Sequence, residues 1–468
     1  MSEHATVAEE SRERRRFVPS PRLLSRILEY STGFWVAILL LQPPWLLRKF
    51  FWGGPSAHGI DYWCIPRGFL NLLAGRSMFD TFGGAQFGGP PVTWYLGHPA
   101  FVLLIAPWFA FFSPELSLWV WSLVTVAILL GVGWLFSRRA RSDLGKSACL
   151  FFSVFGFPAF NLLSSGNMHA WLVLALALAV VGLFDLAAGG RSGRGMLTAG
   201  LLISLLSKPV LLFALPMLFL IRQTRKASLI AIVVYALVSL ACVLISPLNP
   251  ESVGFKREIA LFFDPAYVRE YMNFYNNRFV LTPEMKDNVI HWLNLVAQSD
   301  FYWDHVQIFS LSAFLNGIVG VNLPAMAYKL PLLVALLTSL CVPLVRDDAK
   351  QMTAAMWSVV LLSLSFFLSY NTVWEYQFTA IIPVLLGVVL WDQGMEKGAA
   401  RWLVALGALI ALPSLYFLFG EKITVGEFAW MRSTRVLPTC ALYLMVVYKL
   451  WRDCLWPSFV ARRAAAAV

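Results

Sequence analysis

The feature that most constrains this chain is a succession of apolar runs, many close to 20 residues long, separated by short polar segments. A helix needs about 20 apolar residues to cross the hydrocarbon core of a bilayer, so the runs specify membrane-spanning helices. Hydrophobic residues make up 59% of the 468 positions and charged residues 13%. A soluble domain carries about a quarter charged residues, and a chain with so few cannot cover a water-facing surface. The 19 Trp and 36 Phe fit aromatic belts at the two interfaces. A net charge of +11 is compatible with a nucleic-acid partner. Here, however, many Lys and Arg residues sit in short segments between apolar runs, which is the positive-inside pattern, and no nucleic acid is expected.

The expected fold is an all-α polytopic bundle of about 10–12 transmembrane helices. The first run, 34–52, follows Arg12, Arg14, Arg15 and Arg16, which places the amino terminus in the cytoplasm and the next segment outside. No small-residue cleavage site follows the basic stretch, so this run is expected to stay as a signal anchor, kinked at Pro43-Pro44. Residues 53–97 form a Gly- and Pro-rich loop long enough to suggest function, with 65–73 predicted as a short helix on the membrane surface. Segment 99–112 is short and interrupted by Pro107, so a half-helix is expected. Charge agrees: the basic loop with Arg138, Arg139, Arg141 and Lys146 leaves room for only one crossing, 116–136, between it and the outside.

Alternation carries 148–164 outward to a tight turn at 165–169, and 170–186 back. Runs 196–207 and 210–221 are short, and basic segments flank both (Arg191, Arg194; Arg222, Arg225, Lys226). They form either a re-entrant hairpin or two tightly joined spans, with Lys208 at the tip. Runs 228–245, 324–345, 352–369, 378–391, 403–419 and 437–450 complete the series; the outside loop with Lys422, Arg432 and Arg435 runs against the charge rule. The chain thus divides into a cytoplasmic segment 1–32, a membrane module 33–246, an extracytoplasmic loop 247–323, helices 324–451 and a cytoplasmic tail 452–468. Of six cysteines, only Cys64 lies in an outside loop, so no disulfide framework is expected.

The outside face gathers His58, His98, His169, His291 and His305 with Asp61, Asp80, Arg67 and Arg76. Asp61, just after the first span, is placed to act as a general base at a cavity mouth. An isolated loop Asp serves equally well as a solvated acid or a helix cap. Lys208 lies between apolar runs, where a lysine costs about 2.5–3.5 kcal/mol at membrane depth. It is tolerated there if it meets a phosphate or carboxylate, or if it snorkels to the interface. Arg67 and Arg76 can grip a phosphate through bidentate hydrogen bonds. The spacing of Asp300, Asp304 and His305 is not a recognised metal motif, so no metal is expected. The chain has no phosphate-binding Gly loop, nucleophile elbow or CxxC pair, which leaves a cytosolic nucleotide or other cofactor without support.

Asp61, Gly75, Phe79-Asp80, Tyr95 and His98-Pro99 together resemble the first outside loop of glycosyltransferase family 87. Gly166-Asn167, Lys208-Pro209 and Trp374 in the turn NTVWEYQ extend the resemblance, although in the family that turn commonly continues with His, where this chain has Glu375, Tyr376 and Gln377. The resemblance implies a GT-C fold and an inverting, metal-independent transfer of mannose or another hexose or pentose. The donor would be a polyprenyl-phosphate sugar and the acceptor a lipid or glycan at the outer face of the plasma (inner) membrane. Asp61 matches the catalytic base. Lys208, Arg67, Arg76 and His98 become candidates for the donor phosphate, and Asp80, Tyr95, Asn167, His169, Trp374 and Glu375 for substrate. Two other classes fit the composition: a transporter or flippase of a lipid-linked or anionic solute, and a polysaccharide polymerase or ligase using 246–321. A transporter favours paired interrupted helices, whereas one interruption is visible here, at Lys208-Pro209.

Overall fold

A computed structural model describes residues 20–52, 60–73, 98–245, 309–370, 373–391, 398–412 and 433–466, and no strand occurs among them. In chain order the helices are α1 (Pro21–Trp52), α2 (Ile60–Leu73), α3 (Pro99–Ile105), α4 (Pro107–Ala110), α5 (Pro114–Ser137), α6 (Asp143–Val154), α7 (Phe157–Ser165), α8 (His169–Ala187) and α9 (Gly193–Leu206). After a 3₁₀ segment, Pro209–Ala214, come α10 (Leu215–Leu220), α11 (Arg222–Ile245), α12 (Leu311–Phe314), α13 (Leu330–Leu340) and α14 (Asp348–Ser369). A second 3₁₀ segment, Glu375–Ile381, leads into α15 (Ile382–Trp391), α16 (Gly398–Ala411), α17 (Ser433–Leu450) and α18 (Trp456–Ala466).

Seven of the described helices are long and apolar enough to span a membrane, or eight if the bent pair Gly193–Leu206 and Pro209–Leu220 is one span. The protein is therefore a polytopic all-α membrane protein. The shortfall from 10–12 has identifiable causes. Run 403–419 ends in α16 because 413–432 lie outside the described residues. Run 378–391 is too short to count among the long spans. Only with the three residues before it does the helical stretch Glu375–Trp391, with seven 3₁₀ residues at about 2.0 Å each and ten α residues at about 1.5 Å each, reach about 29 Å, close to a bilayer core of about 30 Å.

Large apolar side chains lie exposed along α1 (Phe34, Leu41), α11 (Val233, Leu237, Leu244) and α13 (Leu333, Leu337), where lipid takes the place of water. The most enclosed span is α14, which carries small residues (Ala354, Ala355, Ser358, Ser363, Ser365) that let neighbouring backbones approach. One end of the bundle is basic and tied by ion pairs. Arg139 donates to both Asp185 carboxylate oxygens at 2.8 and 2.7 Å, joining the α5–α6 loop to the end of α8. Beside it Glu29 of α1 accepts a 2.8 Å hydrogen bond from Ser147 of α6.

Three expectations change. Helix α1 is already formed at Pro21 and continues through Pro43-Pro44 to Trp52. The helix expected on the membrane surface at 65–73 starts at Ile60 and is packed inward, because Tyr62 and Ile65 are fully buried against α3, α4 and α5. Arg435 is not a loop cation: it belongs to α17 and has no exposed surface. The short, Pro107-interrupted pair α3–α4 agrees with a half-helix.

Candidate functional site

The end of the bundle away from the Arg139–Asp185 pair is organised around Gly166. This residue closes α7 with φ +66°, the left-handed conformation that glycine adopts without strain. A Cβ at Gly166 would lie 2.5 Å from the Tyr62 Cβ, so the missing side chain also lets α2 approach the α7–α8 turn. The Tyr62 ring sits 5.4 Å from Trp121 and 6.5 Å from Phe109, and its hydroxyl is hydrogen-bonded to Ser117. Trp121 Nε1 in turn donates to the Gly166 carbonyl at 2.9 Å. With Tyr62 pinned, the preceding residue, Asp61, is held against the turn in the first turn of α2, where the helix dipole favours a carboxylate.

Asn167 bridges turn and acid. Its Oδ1 accepts from the His169 backbone N–H at 3.1 Å, the local pattern that makes Asn a turn residue, and from His169 Nδ1 at 2.6 Å. The amide nitrogen is thereby the end that faces Asp61, donating to Oδ2 at 3.0 Å. His169 carries its proton on Nδ1 in this arrangement, and its ring packs 5.3 Å from that of Tyr376, a second hydrogen-bond partner of Asp61. Burial raises the Asp61 carboxyl above its ordinary range, outweighing the Asn167 hydrogen bond, the Lys208 charge and the Tyr376 hydrogen bond, which all lower it.

Lys208 reaches this point through helix packing. Added Cβ atoms at Gly182 and Gly200 would lie 2.7 Å from the Gly193 carbonyl oxygen and 2.5 Å from that of Ala175, so α8 and α9 run antiparallel in close backbone contact. Helix α9 has 14 residues and spans about 21 Å before the chain turns back through 120°. At the turn Pro209 favours extended backbone for Lys208, whose φ is −133° and ψ 110°. Ser204 fastens the turn: its hydroxyl donates to the Lys208 carbonyl at 2.7 Å and accepts from the Leu211 N–H at 3.1 Å. The register leaves the Lys208 ammonium close enough to Asp61 and His169 to act on both electrostatically. Asp61, Lys208 and Tyr376 are half-buried, so each keeps accessible surface.

Behind Tyr376 the structure reveals an ion pair that the sequence did not suggest. Glu375 is bonded to Arg435, and both are buried. Arg435 also donates to the carbonyls of Leu409 and Leu412 at the end of α16. Its guanidinium carbon lies 5.9 Å from the centre of the Phe309 ring. Trp374, half-buried, leads into the 3₁₀ segment, and its carbonyl accepts from the Gln377 N–H at 3.0 Å.

Of the residues singled out in the sequence, Asp61, Asn167, His169 and Lys208 come together. Glu375 is held by Arg435, and Trp374 adjoins it. His98, a candidate for phosphate, is instead buried as the cap of α3: Nδ1 accepts from the Ala100 N–H and Nε2 donates to Ser239, both at 3.1 Å. Arg67 lies on α2. His58, Arg76, Asp80, Tyr95, His291, Asp300, Asp304 and His305 lie outside the described residues. Among the described residues no group of three His, Cys, Asp or Glu side chains is gathered to hold a metal ion. Tyr376 is a site residue that the sequence does not single out; its one signal is that it lies in the turn NTVWEYQ where His is expected from the resemblance and Glu375, Tyr376 and Gln377 stand instead. No protein-family model, no curated protein and no solved structure matches this chain.

Proposed function

We propose that this protein is an integral membrane glycosyltransferase. In this reading it moves a sugar from a polyprenyl-phosphate donor to a lipid or glycan acceptor at the extracytoplasmic face, with inversion. The observation that carries the reading is a half-buried carboxylate, Asp61, oriented by Asn167 and Tyr376, with the Lys208 ammonium beside it. The resemblance of the first outside loop to glycosyltransferase family 87 points the same way.

Such a transfer needs a base and a place for negative charge. The acceptor hydroxyl oxygen attacks the anomeric carbon and gives its proton to Asp61, while the bond from that carbon to the phosphate oxygen breaks. The electron pair leaves with the polyprenyl phosphate, and the added charge develops near Lys208, where a fixed cation stabilises it. Burial makes Asp61 a stronger base than a solvated carboxylate, which suits abstraction of a hydroxyl proton. Orientation through Asn167 fixes which oxygen receives the proton. No step requires a metal ion. The basic segments at the other end of the bundle support an extracytoplasmic site, which this reading sets at the outer leaflet of the plasma (inner) membrane.

The test is to incubate purified protein with a panel of polyprenyl-phosphate sugars and candidate acceptors and to follow donor consumption. Wild type should consume one donor. Asp61→Asn should still bind that donor but lose transfer by the factor of 10² to 10⁴ typical of a lost general base, roughly. If no donor is consumed and Asp61→Asn behaves as wild type in cells, transport becomes the better reading.

A further inference from the structure

The buried pair behind the site has a further role. A 3₁₀ helix turns through a third of a circle per residue, so neighbours Glu375 and Tyr376 leave the Glu375–Ile381 segment on different sides. Glu375 meets Arg435, whereas the Tyr376 ring packs 5.3 Å from His169, which Asn167 joins to Asp61, so its hydroxyl reaches the acid. Arg435 cannot follow a rotation of that segment, because its other hydrogen bonds go to the carbonyls that end α16. We propose that the Glu375–Arg435 pair is a positioning device: it fixes the rotation of the 3₁₀ segment and so holds the Tyr376 hydroxyl on the Asp61 carboxylate. Neither residue of the pair contacts the acid. Among the described residues Tyr376 is their link to the acid, since Asn167 and Lys208 reach Asp61 from other elements.

The readout is a proton rather than a product, so this inference and the sugar-transfer reading fail separately. The Asp61 carboxyl is titrated by infrared difference spectroscopy on the purified full-length protein and identified by its loss in Asp61→Asn. Among the described residues the charged and titratable groups facing Asp61 and Tyr376 are Lys208, His169, Tyr370 and Cys64, all left intact. Tyr376→Phe removes a hydrogen bond to the ionised acid and should move the midpoint up by about one unit. The double variant Glu375→Gln/Arg435→Met removes both buried charges together, so neither is stranded and the distant field changes little. It should move the midpoint by the same amount as Tyr376→Phe, and adding Tyr376→Phe to it should move it no further. A folded double variant that titrates like wild type, a Tyr376→Phe that does not shift, or shifts that add would each overturn the proposal. If the double variant does not fold, Arg435→Lys keeps the charge and loses the fork to the α16 carbonyls. It should then give a smaller upward shift, and an unmoved midpoint would refute the positioning role.

Discussion

The close approach of α2 to the α7–α8 turn can be tested at a single hydrogen atom. Gly166→Ala adds a Cβ at φ +66°, 2.5 Å from the Tyr62 Cβ. The left-handed backbone costs an alanine about 1–2 kcal/mol, and forcing a methyl into a filled space costs about 1–3 kcal/mol more. Tyr62 cannot swing aside, because Trp121, Phe109 and Ser117 hold it. Gly189→Ala is the matched control, since Gly189 has φ +75° with nothing within 4 Å and bears the backbone cost alone. The smaller conformational freedom of alanine in the unfolded chain offsets part of the cost in both variants and cancels in the comparison. Unfolding of the two proteins in the same detergent should therefore differ by about 1–3 kcal/mol, with Gly166→Ala the weaker. Gly166→Ala should also lose sugar transfer, because the new methyl pushes Asp61 away from Asn167. Equal losses of stability in the two variants would show that α2 is free to move, and the account of how Asp61 is placed would fall.

Other expectations follow from the same geometry. Folding raises the Asp61 pKa, so ionising it destabilises the folded state as pH climbs from the ordinary carboxylate range through the raised value. Asp61→Asn should thus melt at a higher temperature than wild type above that window and at a similar temperature below it, and thermal scans across pH would decide. The acid limb of the transfer rate should likewise lie above the ordinary carboxylate range, as a pH–rate profile would show. Lys208→Met should reduce kcat/KM for the donor by about ten- to a hundredfold, the worth of one charge-assisted hydrogen bond, and Lys208→Arg should restore part of it. Gly200→Leu should part α8 from α9 and draw Lys208 back, costing both stability and transfer, because the Ala175 carbonyl stands 2.5 Å from the new Cβ. Arg435→Met alone leaves Glu375 buried without its partner and should cost about 3–5 kcal/mol in unfolding.

The bundle was legible because its signals are local and repeated. Run length gives spans, Pro107 breaks a short one, and basic loops alternate with polar ones. Asp61, Asn167, His169 and Lys208 were legible too, since charge or hydrogen-bonding capacity beside apolar runs is expensive and stands out. Arg435 was misplaced because a basic residue next to a span looks the same in sequence whether it faces water or a carboxylate 60 positions earlier. His98 showed the converse: the histidine is where the sequence drew attention, but its ring nitrogens serve a helix end and Ser239. The sequence takes 378–391 as a crossing, whereas the structure has a shorter apolar helix there, Glu375–Trp391, whose 3₁₀ start the apolar pattern does not reveal.

The hairpin tipped by Lys208 has a bearing on how the protein is assembled. Its first leg starts just after the end of α8 that carries Asp185, whereas Asp61 follows α1 at the far end of the bundle. During synthesis the acid is laid down first and stays without its cation until the chain has grown past Pro209. The electrostatic match between them is therefore made late, and a bundle whose earlier helices have docked still lacks it.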